Sequence, residues 1–183
     1  MLTIFSTLLL FSNIIQRDTI KFIQWDNNRH LSSADFRRKP PAKPESVAQG
    51  LFILNMDFEF DESSFEFRVQ TLFIKDSSWV TPEAKSLNHL EYIFDLYEVY
   101  ARLMRKEFLS MNKGSSQTIE ENLSLRTKEY LKMIKQECAK FDSQSSFGFD
   151  NEYEIKWETD IKSRLNKLKE YSYTDYKNVN IYP

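Results

Sequence analysis

The sequence predicts an α+β fold, an antiparallel β-sheet in the N-terminal half packed on about three long α-helices. Three observations carry this. Apolar residues alternate with a period of two through two neighbouring stretches between residues 51 and 73. They then recur at spacings of three and four through three later stretches. Strands precede helices instead of alternating with them, which argues against a parallel α/β sheet. A chain of 183 residues, 41% apolar and 28% charged, suits a single domain. It buries roughly 70% of its unfolded surface on folding and needs no disulfide or metal to do so.

Residues 1–15 (MLTIFSTLLLFSNII) carry no charged side chain. The run is short for a bilayer span and fits the apolar region of a signal peptide. It lacks a leading Lys or Arg and an A-x-A site. Export to the periplasm or the extracellular space is expected, with residues 1–16 removed and no membrane span left in the mature chain. The alternative is a buried N-terminal strand or helix.

Residues 20–25 (IKFIQW) read as a short strand and residues 27–36 as irregular. Residues 37–44 (RRKPPAKP) form an extended surface loop, because prolines forbid regular structure there. In residues 51–60, Phe52, Leu54, Met56, Phe58 and Phe60 share one face, opposite Asn55, Asp57, Glu59 and Asp61. Phe65, Phe67, Val69, Thr71 and Phe73 repeat the pattern after a short break, so the two form a hairpin with one apolar and one acidic face. The acidic row is a wet strand face, without an EF-hand loop.

The first helix is expected to start at Thr81, with Pro82 at its first position and Glu83 behind it. Leu87, Leu90, Phe94, Tyr97, Ala101, Met104, Phe108 and Met111 form its apolar stripe. The second opens on a capping box at Thr118-Ile119-Glu120-Glu121 and runs toward Phe141, burying Leu123, Leu131, Ile134 and Cys138. The third spans residues 151–171, with Trp157, Ile161, Leu165 and Leu168 on one face. A Tyr-rich tail, 172–183, follows.

Composition removes several functions. Cys138 is the single cysteine, and His30 and His89 are the two histidines. No intramolecular disulfide and no Cys-rich zinc site is possible. Three glycines, Gly50, Gly114 and Gly148, cannot build a phosphate-binding loop or a dinucleotide fingerprint. A formal charge of −2 leaves no footprint for nucleic acid. No Ser-His-Asp arrangement shows a nucleophile elbow. A Cys138–His89 pair is conceivable, but Cys138 falls on an apolar helical face and reads as a small buried hydrophobe.

The segment SLNHLEYIFDLYEVYARLMRKEF, residues 86–108, resembles the metal-binding helix of a bacterial family of predicted secreted zinc-dependent proteases, catalogued as a domain of unknown function. That helix reads approximately L-x-H-E-Q-x-H-F-D-I-x-E-x-Y-A-R-x-L-R. Other pieces resemble the family in the same order. Ser33-Ala34-Asp35-Phe36 matches a W-x-D-F opening with Ser33 in place of Trp. FRVQTLFIKDSSWV matches a strand ending in Ser-Trp-Val. CAKFDSQSSFGFDNEYEIKW matches a Y-D-x-x-T-x-H-G segment followed by a Trp-bearing helix. The resemblance covers residues 20–171 and implies a single zincin-like domain over 17–171.

A zinc protease of this kind needs two imidazoles at i and i+4 on one helical face, and a Glu beside the first to take a proton from the metal-bound water. Here His89 matches the first ligand. Leu90 replaces the Glu, Ile93 the second His, and Phe147 the later His. Glu91 sits one residue late, rotated about 100° from the general base's direction. Asp95 and Glu98 match the F-D and following Glu of the motif. The resemblance therefore implies a vestigial site at His89, Leu90, Ile93, Glu98 and Phe147, with no catalytic residue, no metal ligand set and no cofactor. Glu98 is expected to pair with Arg102, and Glu91 and Asp95 to share a solvated stripe. His89 is expected to be a hydrogen-bonded helix histidine.

Three functions remain in view at this point. The first is a catalytically inactive zincin-like domain acting as an exported binding or structural protein. The second is a hydrolase with a rearranged site using His89, Glu91 or Glu98. The third is a module that binds a peptide or small ligand in the former substrate cleft, where β-augmentation needs only backbone groups.

Overall fold

The computed structural model describes residues 21–44, 46–84 and 86–182. The uncharged N-terminal run, and the export expectation attached to it, lies outside these residues.

Strand β1 is Phe22–Gln24, β2 is Ala48–Gln49, β3 is Phe52–Phe60, β4 is Ser64–Ile74 and β5 is Trp79–Val80. Helices α1 (Asn88–Phe108), α2 (Ser116–Gln144) and α3 (Asn151–Lys167) follow, and β6 (Lys177–Asn180) closes the chain. The fold is α+β, with antiparallel sheets and three long helices, as the patterning predicts. β4 is the centre of the main sheet. It pairs with β3 along its length, while β1 and β6 share its other edge, all antiparallel. The Tyr-rich tail thus contributes a strand, with Val179 buried opposite Phe65. β2 and β5 form a separate two-stranded ribbon.

The hairpin register follows from the alternation. Phe52 stands opposite Phe73, Leu54 opposite Thr71, Met56 opposite Val69 and Phe58 opposite Phe67. Paired residues share a face, so one side of the sheet is almost continuously apolar, with phenylalanines at both ends. Phe65, Phe67 and Phe73 are fully buried, each worth roughly 1.5–3 kcal/mol relative to exposure. On the other face the acidic row meets a cation, since Arg68 Nε donates to Asp57 at 3.0 Å.

α1 lies on the apolar face, and α2 and α3 cover it from outside. The main core joins Phe67, Val69, Leu96, Met104, Phe108, Ile134, Phe141 and Ile161. A smaller cluster of Ile23, Leu31, Phe36, Phe52, Phe73 and Phe94 sits at the β1 end. Because both sides of α1 are covered, its burial extends beyond the predicted stripe to Leu96, Val99 and Tyr100, and to the charged residues Glu98, Arg102 and Arg105.

Helix boundaries differ from the sequence expectation at the starts of α1 and α2, and α1 ends at Phe108, short of Met111. α1 does not start at Thr81. The Thr81 amide donates to the Val47 carbonyl at 2.8 Å, and the Ala84 amide to Thr81 at 3.2 Å. Residues 82–83 are therefore a turn attached to the β2–β5 ribbon, and the helix begins at Asn88. α2 starts two residues before Thr118, capped by Ser115, whose side chain accepts from the Thr118 amide at 3.2 Å. The third helix keeps its predicted start. Asp150 caps it by accepting from the amides of Glu152 and Tyr153. Residues 169–171 continue it as a 3-10 turn.

Candidate functional site

His89 lies in the first turn of α1, against the connection between α2 and α3. Its Nε2 is 2.9 Å from Asp142 Oδ1 near the end of α2. Its Nδ1 is 2.7 Å from Glu154 Oε1 in the first turn of α3. Phe141 packs on the ring with centroids 4.5 Å apart. Burial disfavours the charged ring, but the hydrogen bonds and charges of Asp142 and Glu154 outweigh it and lift the His89 pKa to about 9. The residue is thus an imidazolium at neutral pH, donating from both nitrogens. Gly148 completes the enclosure. With φ +86°, its backbone passes so close that an added Cβ would lie 2.9 Å from His89 Cβ.

The segments with matching motif positions therefore meet in space, yet the matched side chains do not converge. Phe147, at the position of the later His, is 65% exposed. Leu90 and Ile93 pack against the smaller apolar cluster. Glu98 lies deeper, accepting from Thr71 Oγ1 at 2.9 Å, Arg102 Nε at 3.0 Å and Arg105 Nη1 at 2.8 Å. The expected Glu98–Arg102 pair is present, and it is buried. The zinc-binding residue set of the resembled family does not fit here. Its second and third imidazole positions carry hydrocarbon. The two carboxylates on His89 approach opposite edges of the ring, so these oxygens and nitrogens surround the imidazole without sharing a focus. Among the described residues no group of three or more His, Cys, Asp or Glu side chains is arranged to hold a metal ion.

Glu91 and Asp95 do not form a solvated stripe. Glu91 accepts from the Leu31 amide at 2.9 Å and pairs with His30 Nδ1 at 3.0 Å, tying the loop after β1 to α1. Asp95 accepts from the Trp25 indole N–H at 2.7 Å. Burial pushes the Asp95 pKa up to about 6, against the lowering effect of that bond and with help from the charges of Glu91 and Glu98. Cys138 is no nucleophile partner for His89. Burial, and the nearby charges of Asp142 and Glu137, push its thiol up to about 12.

Asp95 and Glu91 face a cleft of about 1020 Å³ between the loop after β1, α1 and α3. Trp25, Tyr92, Arg102, Glu158 and Lys162 share its walls, and His89 is not among its lining residues. The cleft lies beside β1, away from the free edge of the hairpin. The sequence reading missed Asp142 and Glu154 as partners of His89, and Trp25 as the partner of Asp95. Asp142 stands in the FDSQSSFG segment that carries the resemblance, and was the one legible signal.

No family model matches this chain, and neither a curated protein nor a solved structure matches it. Among the described residues no helix is long and apolar enough to cross a membrane.

Proposed function

We propose that this protein is a zincin-like scaffold without hydrolytic chemistry, acting as an exported binding or structural protein that takes a peptide, protein or small-ligand partner. The observation that carries this is the state of His89. A zinc ligand must offer a ring lone pair. Here both nitrogens face carboxylates and the ring is an imidazolium, so a proton-borne charge holds together the helix ends around the ring. The juxtaposition of His89 with Ser145, whose Oγ is 3.4 Å from Nδ1, and with Gly148 supports descent from a zincin-like site, since those residues occupy the two matched segments. Leu90 and Ile93 support loss of the water-activating acid and the second donor.

A hydrolase with a rearranged site is less well supported. His89 is held by Asp142 and Glu154, Glu91 by His30 and the Leu31 amide, and Glu98 by Thr71, Arg102 and Arg105, so the three are committed to separate sets of partners. The binding reading has support of its own in the open cleft beside β1.

The test is zinc analysis of the purified protein after dialysis, combined with a peptide-cleavage assay with and without chelator. Substoichiometric zinc and no chelator-sensitive cleavage are expected. Stoichiometric zinc, with metal-dependent cleavage that His89→Ala abolishes while the chain stays folded, would overturn the proposal.

A further inference from the structure

Most charges lining the cleft beside β1 are paired; of those without an ion pair, Asp26 and Lys169 are exposed, whereas Asp95 stands in the inner wall. Glu91 pairs with His30, Glu158 with Lys162, and Arg29 with Asp35. Arg102 is held by Glu98 and by the Leu165 carbonyl at 2.7 Å. Asp95 has only the neutral indole of Trp25, and among the described residues no cation forms an ion pair with it. Lys162, whose field reaches it, is committed to Glu158. A half-buried carboxylate that has lost much of its water and gained no counter-charge is an open half of an ion pair.

We propose that this cleft binds a small organic ammonium ion, with the cationic head on Asp95 and an apolar body along the Trp25 and Tyr92 walls. A volume of about 1020 Å³ accommodates a whole small molecule. A divalent metal ion is a poorer occupant. It wants six or more oxygens, and the cleft's other carboxylates on α1 and α3 are already paired. An anion would face Asp95 and Glu91 directly. An ammonium group donates three hydrogen bonds and carries the missing charge. The lysine side chain of a peptide presents the same head group as a free amine. His89 does not line the cleft, so the inference stands or falls independently of whether the chain binds zinc.

The experiment follows the Trp25 indole N–H in two-dimensional nitrogen–proton spectra of the full chain, identified by its loss in Trp25→Phe. Benzylamine, its neutral isostere benzyl alcohol, and Nα-acetyl-lysine amide are titrated separately. The two amines are expected to shift the indole signal saturably, and the alcohol is not. Tighter binding of the lysine derivative assigns a peptide side chain as the source, and tighter binding of benzylamine a free amine. Asp95→Asn is expected to weaken amine binding about tenfold or more, the loss of one charge-assisted contact. An alcohol response equal to the amine response overturns the proposal, as does a lack of saturable amine response. Unchanged amine binding in a folded Asp95→Asn variant does so too. The comparison of amine with alcohol uses the unmodified chain, so it decides the matter even if that variant does not fold.

Discussion

Nε2 of His89 lies 2.9 Å from Oδ1 of Asp142, a residue 53 positions later in the chain. With Glu154 on the opposite nitrogen, this contact joins the start of α1 to the end of α2 and the start of α3 through one ring. Its charge makes stability pH-dependent. The folded pKa of about 9 exceeds the unfolded value near 6.5, so the stabilisation is fully present below about pH 6.5. It fades as pH rises and is lost above pH 9. Urea unfolding at pH 6 and pH 10 is expected to differ by about 2–3 kcal/mol from this group. His89→Gln should flatten that dependence. Nitrogen NMR of the ring checks the protonation directly, with both nitrogens carrying hydrogen at pH 7.

Gly148 and Phe147 lie side by side in left-handed conformations, at φ +86° and +57°, and they predict opposite outcomes. Gly148→Ala adds backbone strain and drives a methyl into His89. A loss of roughly 2–3 kcal/mol is expected, with displaced His89 ring signals. Phe147→Gly relieves the same kind of strain at a residue 65% exposed. It should be neutral or stabilising by up to about 1 kcal/mol. A large loss from Phe147→Gly would mean that the aromatic ring packs against the protein despite its exposure. Chemical denaturation of both variants supplies the comparison.

Cys138 offers a kinetic check on the packing between α1 and α2. A thiol pushed up to about 12 has only about one part in ten thousand as thiolate at pH 8. Alkylation by iodoacetamide should therefore be slow in the native protein and accelerate sharply in urea. Native reactivity matching that of the unfolded chain would contradict the burial of this side chain.

Much of the architecture was legible because the apolar residues are large and regularly spaced. The Phe alternation at 52–60 and 65–73 dictates which residues share a face, and the register pairs them accordingly. Trp157, Ile161 and Leu165 on α3 are buried as their spacing implies. The start of α1 was not legible. Thr81-Pro82-Glu83 has the composition of a helix cap, but the Thr81 amide is bonded to Val47, a tertiary contact that local pattern does not encode. The partners of His89 were hidden for the same reason, being 53 and 65 residues away. Arg105 falls on the apolar stripe by its spacing, four residues after Ala101 and three before Phe108, yet a guanidinium is ordinarily placed in solvent.

Arg105 is instead fully buried, because every direction it faces offers an acceptor. Its Nε and Nη2 donate to the Val69 carbonyl at 3.0 and 2.8 Å, and Nη1 to the Tyr171 carbonyl and to Glu98 at 2.8 Å each. Glu98 is thus the shared counter-charge of two guanidiniums between the sheet and α3, with Thr71 supplying one more hydrogen bond. Glu98→Gln keeps the shape but leaves two buried cations without a counter-charge, and is expected to cost about 3–5 kcal/mol. Arg105→Met alone strips Glu98 of one partner, yet Arg102 still holds the carboxylate, so a smaller loss should follow. In a double-mutant cycle the Glu98→Gln and Arg105→Met losses should fall short of additive, because each removes the same interaction. Simple addition of the two would show that the pair contributes nothing, and that the carbonyls of Val69 and Tyr171 alone hold Arg105 in place.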